Sequence, residues 1–105
     1  MFLAMNRFRI KKGNEDLFET IWRERDSQLE EVPGFIEFNL MRGDSNEEFT
    51  LYASHTSWKT RQDFSNWTKS EAFKIAHKDA GKHRDIYQGP PAFESFEKVL
   101  WTGSI

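Results

Sequence analysis

From Phe2 to Ile10 the chain alternates: Phe2, Ala4, Asn6, Phe8 and Ile10 share one face, and Leu3, Met5, Arg7 and Arg9 share the other. This period of two predicts a strand, with one polar residue, Asn6, interrupting its apolar face. Lys12-Gly13-Asn14 then reads as a turn leading to an N-cap. Leu17, Phe18, Ile21, Trp22 and Leu29 follow at helical spacing, which predicts a first helix from about Glu15 to Glu30, ended by Pro33-Gly34. A second strand, Phe35 to Met41, places Ile36, Phe38 and Leu40 on one face. The turn residues Gly43-Asp44-Ser45-Asn46 lead from it into a third strand, Phe49 to Thr56, so the two form a hairpin.

Thr60-Arg61-Gln62-Asp63 has the form of a capping box with Asp at N3, and it opens a short helix presenting Phe64 and Trp67. Ser70 caps the next helix, whose stripe is Ala72, Phe73, Ala76, His77 and Ala80 and whose expected stop is Gly81. Lys82 to Pro91 lacks periodicity and is expected to be a mobile connection before a last strand near Phe93 to Thr102. The order is β-α-β-β-α-β with a split second helix. This is the ferredoxin-like α+β arrangement, in which helices cover one face of an antiparallel sheet, and residues 1–105 are read as a single domain. The other sheet face needs a cover, so a homodimer packed sheet to sheet is expected.

Composition narrows the partners. Fifteen basic and seventeen acidic residues are interspersed for a formal charge of -2, which offers no footprint for nucleic acid or an anionic membrane. The apolar run at the N-terminus is too short for a signal peptide or a membrane span, and a cytoplasmic protein is expected. The absence of cysteine removes disulfides, thiolate metal sites and Cys nucleophiles together. Ten Phe, four Trp and two Tyr exceed what one small core needs, which suggests a flat apolar ligand or a subunit interface.

Candidate chemistry concentrates on three residues. His77 stands at one shoulder of a stripe whose alanines leave room beside the imidazole; it reads either as a ligand or as a satisfied boundary residue. Asn6 on an apolar strand face either bonds nearby backbone or waits for a ligand, and Trp67 is either an ordinary core ring or a rigid wall. Ile21 and Trp22 are expected as pocket wall from the first helix, while Arg23 and Arg25, considered as anion partners, are expected to be solvated. His55 and His83 have no metal-ligand spacing with another histidine or carboxylate. No glycine-rich phosphate loop, Ser/His/Asp order or flavin or nicotinamide motif stands out.

Three stretches carry a family resemblance: Asn6-Arg7 in the first strand, Trp67 before Lys69-Ser70, and Phe73-Lys74-Ile75-Ala76-His77-Lys78. With Trp58-Lys59-Thr60 and Ser70-Glu71-Ala72-Phe73, the chain resembles the IsdG-type heme-degrading monooxygenases. These lie within the dimeric α+β barrel superfamily that also contains antibiotic biosynthesis monooxygenases. The resemblance implies that His77 ligates heme iron, that Asn6 donates a hydrogen bond on the distal side, and that Trp67 presses on the porphyrin, with Phe73 in the heme-binding segment. It further implies heme as both substrate and cofactor, O2 and an external electron donor, a reductase partner, and release of iron with a bilin-type product. A cofactor-free monooxygenase of a polycyclic phenol or quinone and a non-enzymatic heme-binding protein are the alternatives. The stretch Lys78 to Phe93 departs from the family pattern.

Overall fold

The computed structural model describes residues 1–25, 27–78 and 81–103. Strand β1 (Phe2–Lys11) is followed by helix α1 (Glu15–Arg23), β2 (Phe35–Ser45), β3 (Phe49–Trp58), α2 (Arg61–Thr68), α3 (Glu71–His77) and β4 (Ala92–Glu97). The four strands form one antiparallel sheet in the order β2-β3-β1-β4. This is the expected ferredoxin-like α+β arrangement with its second helix split in two. No helix among the described residues is long and apolar enough to cross a membrane.

The alternating face of β1 faces the helices and divides the core. Phe2 and Ala4 join Trp58, Leu29 and Trp67 in one buried cluster, while Phe8 and Ile10 join Phe18, Tyr52 and Ile86 in another. Asn6 lies between them, opposite Ser54 on β3 and Phe93 on β4. The break in the apolar pattern is therefore a break in the core itself.

α1 is held on β3 by two acidic side chains one turn apart. Glu15 accepts a hydrogen bond from the Thr50 hydroxyl at 2.7 Å and Glu19 one from Tyr52 at 2.5 Å. Glu19 also pairs with Arg23 and Arg42. Burial, aided by the Glu19 carboxylate, pushes the Tyr52 hydroxyl up to about 12, so it remains a donor. At the other end, Ser70 Oγ accepts from Phe73 N at 3.2 Å and donates to the Trp67 carbonyl at 2.6 Å, locking the end of α2 to the start of α3.

Several boundaries differ from the sequence reading. α1 stops at Arg23 rather than Glu30; Gln28 adopts a left-handed conformation, and Leu29 reaches the core from a separate 3-10 turn, Leu29–Glu31. Leu17, assigned to the apolar stripe, is exposed. A register shift between Phe35 and Glu37 puts Phe35, rather than Ile36, against Trp58 on the helix face. The hairpin strands are longer than expected, reaching Ser45 and Trp58.

α3 ends at His77 with Lys78 as its C-cap, short of Gly81; Ala80 lies outside the described residues. The connection before β4 is docked rather than mobile. Ile86, in the 3-10 turn Arg84–Ile86, is buried, Tyr87 bridges Ile10, and Gln88 N donates to Arg9 O at 2.8 Å. β4 ends at Glu97, not Thr102: Glu97 faces Phe2 at the start of β1, and one further bond, from Lys98 N to the Met1 carbonyl at 3.0 Å, closes the pairing.

Only half of the expected capping box forms. Thr60 Oγ1 accepts from Asp63 N at 3.1 Å, but the Asp63 side chain packs against Gly34 instead of returning to the Thr60 backbone. A Cβ at Gly34 would come within 2.5 Å of the Asp63 Cβ, whereas one at Gly13 would meet nothing; both glycines have positive φ. Gly13→Ala should therefore cost about 1 kcal/mol of stability from backbone strain alone. Gly34→Ala should cost at least about twice that. Urea unfolding of the two variants checks the difference, and equal losses would show that the Asp63 contact yields freely.

Candidate active site

A cavity of about 410 Å³ opens between the two core clusters, where small and polar side chains replace large apolar ones. Its sheet floor is Ala4 and Asn6 of β1, Ser54 and Thr56 of β3, Phe38 of β2 and Phe93 of β4. The helices supply Trp22, Phe64, Trp67, Phe73, Ala76 and His77 as walls. A second space of about 580 Å³, lined by Arg84, Tyr87 and Gly89 to Pro91, shares Asn6, Trp22, Arg25 and His77 with the first, so the two are lobes of one cleft.

The His77 ring is fixed on three sides. Its Nδ1 lies 2.8 Å from the Phe73 carbonyl, one turn back along α3. A carbonyl only accepts, so Nδ1 carries the proton and Nε2 presents its lone pair. Nε2 has no protein partner among the described residues. The imidazole stacks on Phe73 with centroids 4.0 Å apart and lies 6.1 Å from the Trp67 ring. Burial lowers its pKa below the ordinary value, against the raising effect of the Phe73 carbonyl; nearby Arg25 lowers it further. The neutral form, which alone can coordinate a metal, is thereby favoured at neutral pH.

Trp67 is held at 5.3 Å from Trp58 and 4.8 Å from Phe73, edge-on to the latter. Its indole N–H, like that of Trp22, is buried without a hydrogen-bond partner among the described residues. The Asn6 carboxamide likewise makes no hydrogen bond among the described residues. Unsatisfied polar groups collected around one cleft are what a missing ligand leaves behind.

Of the residues singled out in the sequence, Asn6, Trp22, Trp67, Phe73 and His77 come together around the cleft. Ile21 does not: it turns away to pack against the cluster of Phe8 and Phe18. Arg25, read as solvated, is half-buried at the junction of the lobes. Its guanidinium lies 3.9 Å from the Trp22 ring centroid and, among the described residues, has no carboxylate partner. Burial lowers its pKa, yet it remains a cation at any physiological pH. Arg23 is exposed and paired with Glu19. Ser54 also escaped the sequence reading: it faces Asn6 through the pairing of β1 with β3, two segments distant in sequence, which leaves no local signal.

The sequence profile described as antibiotic biosynthesis monooxygenase matches residues 1–79. A heme-degrading monooxygenase of Bacillus thuringiensis is 32% identical over 85 residues, covering 77% of this chain and 75% of that protein. A solved structure of the heme-degrader MhuD from Mycobacterium tuberculosis, with two hemes bound in its active site, superposes with a TM-score of 0.74 at 26% identity, covering 98% of this chain and 100% of that one. The cofactor-independent oxygenase SnoaB of Streptomyces nogalater, at 16% identity and a TM-score of 0.68 over 98% of this chain and 97% of that one, shares the fold alone. By profile and by identity, the chain belongs to the antibiotic biosynthesis monooxygenase family of oxidoreductases.

Proposed function

We propose that this chain is a heme-degrading monooxygenase that takes heme as both substrate and cofactor, opens the porphyrin with O2 and external electrons, and releases iron with a bilin-type product. The observation that carries this reading is His77: a neutral, oriented imidazole whose Nε2, like the Asn6 carboxamide and the Arg25 guanidinium of the same aromatic-walled cleft, has no hydrogen-bond or carboxylate partner among the described residues. The heme-degrading relatives support the same reading.

The residues present fit the group. His77 Nε2 would hold the iron, and the Phe73 carbonyl fixes the tautomer that leaves this nitrogen free. Bound heme supplies the redox-active iron that activates dioxygen. Asn6 offers an N–H donor with no acidic proton. Trp67, clamped by Trp58 and Phe73, is a wall that does not yield to a flat ligand. Arg25 offers charge to an anionic substituent such as a propionate. Aromatic walls on several elements offer flat apolar surface to a planar ligand.

The reading includes a single domain over residues 1–105, acting as a cytoplasmic homodimer served by a reductase. The outer sheet face carries Leu3, Met5, Leu51 and Ala53, with Met41 and Phe96 exposed beside them; pairing two copies through this face would remove it from water.

Purified apoprotein should bind one heme per subunit with a shifted Soret band that His77→Ala abolishes. An unchanged spectrum in the variant would favour the cofactor-free reading. With ascorbate or a reductase under air, the bound band should decay and iron appear; a stable band would leave a carrier. Asn6→Ala should bind heme within about two-fold of wild type but turn it over at least about ten-fold more slowly, the loss expected for a donor aimed at the reacting atoms. Equal turnover removes Asn6 from the chemistry.

The folded apoprotein holds His77 below its unfolded value of about 6.5. As the pH falls from about 6.5 toward that lower folded value, the unfolded chain takes up the proton first, so this contribution to stability declines and then levels off. Urea unfolding across that interval should show a smaller pH dependence in His77→Gln than in wild type.

A further inference from the structure

We propose that Ser54 is a second ligand-binding residue of the cleft floor, acting with Asn6 as a two-point hydrogen-bonding site for a small polar molecule. That molecule is a water in the protein without heme and a small exogenous ligand when heme is bound. The inference rests on the heme reading only for the second occupant.

The sheet register places the pair. Asn6 and Ser54 are direct partners across β1 and β3, and both line the cavity. The other neighbours of this pair on the sheet floor are apolar: Phe93 faces Asn6 from β4, and Leu40 faces Ser54 from β2. In the next row Ala4 faces Thr56, whose oxygen already accepts the Trp58 indole N–H at 2.9 Å. Ser54 is thus the one polar neighbour that Asn6 has across the strands.

Ser54 is only 8% exposed, and its hydroxyl makes no hydrogen bond among the described residues. Its oxygen is not among the buried side-chain atoms left without a partner, so the hydroxyl opens into the cleft that Ser54 lines, within reach of a small ligand.

Directly opposed side chains have Cβ atoms about 4.5–5.5 Å apart. Two hydrogen bonds of about 2.8 Å meeting at one oxygen span a similar distance. The two side chains can therefore grip a single molecule between them. Their roles differ: the carboxamide gives an N–H donor and a carbonyl acceptor, and the hydroxyl can turn to donate or accept. Helices α2 and α3 face this floor with rings, Ala76, His77 and Thr68, whose hydroxyl already donates to the Ser65 carbonyl at 2.7 Å.

Two measurements decide the matter separately. A high-resolution crystal structure of the apoprotein should show an ordered water within hydrogen-bond distance of both Asn6 and Ser54, absent in Ser54→Val. A Ser54 hydroxyl turned onto its own backbone, or no such water in wild type, overturns the site. The second measurement titrates azide into heme-loaded protein and follows the visible spectrum. Measured at heme saturation, Ser54→Val should bind azide about five-fold more weakly than wild type, the loss of one net hydrogen bond. Ser54→Thr, which keeps the hydroxyl, should restore the affinity. Unchanged azide binding in Ser54→Val overturns the proposal while the heme reading stands. A wild-type protein that takes up no heme defeats the heme reading instead, and the crystallographic water then decides on Ser54.

Discussion

A pair of polar side chains, Asn6 and Ser54, facing each other in the middle of the sheet between large rings is the constraint from which the architecture follows. Large residues at both ends of β1 and β3, Phe2 with Trp58 and Phe8 with Tyr52, build two separate cores. Asn6 and Ser54 between them cannot fill the same volume, and close packing leaves no tolerance for an accidental void of this size. The helices therefore bridge two footings instead of resting on one, and the span beneath them is the cleft. Fold and site are two descriptions of the same distribution of side-chain volume.

This arrangement explains how the cleft persists. α1 is tied to β3 through Glu15 and Glu19 beside the second core, and α2 and α3 are joined through Ser70 beside the first. The second attachment runs through the backbone of Trp67 and Phe73, so it fixes two walls of the cleft directly. Trp22 packs on Phe8 and Phe38, and Trp67 on Trp58, so both rings are seated on the sheet beside the gap.

Much of this was legible in the sequence because the signals were local. Alternation in β1, the Thr60 and Ser70 caps and the hairpin turn each involve residues within a few positions of one another, and together they give the element order and the helix face of β1. Asn6, Trp67 and His77 stood out because each broke or edged a local pattern. What stayed hidden depended on contacts between distant segments. The register shift that brings Phe35 inward, the 3-10 turn that delivers Leu29, and the docking of Ile86 and Tyr87 on β1 leave no periodic trace. Arg25 was misread for the same reason. An arginine just past a helix looks solvated until its ring partner and the opposing loop are known. Ile21 and Trp22 both pack on the neighbouring core, but the turn of about 100° between successive helical residues brings only Trp22 to the cleft.

The acceptor for His77 Nδ1 is a peptide carbonyl of the same helix. Unlike a carboxylate in that role, a peptide group has no proton equilibrium near neutrality and cannot swing to another rotamer. The orientation of the His77 ring therefore follows from the geometry of α3, and its Nδ1 partner does not change with acidification of the surroundings.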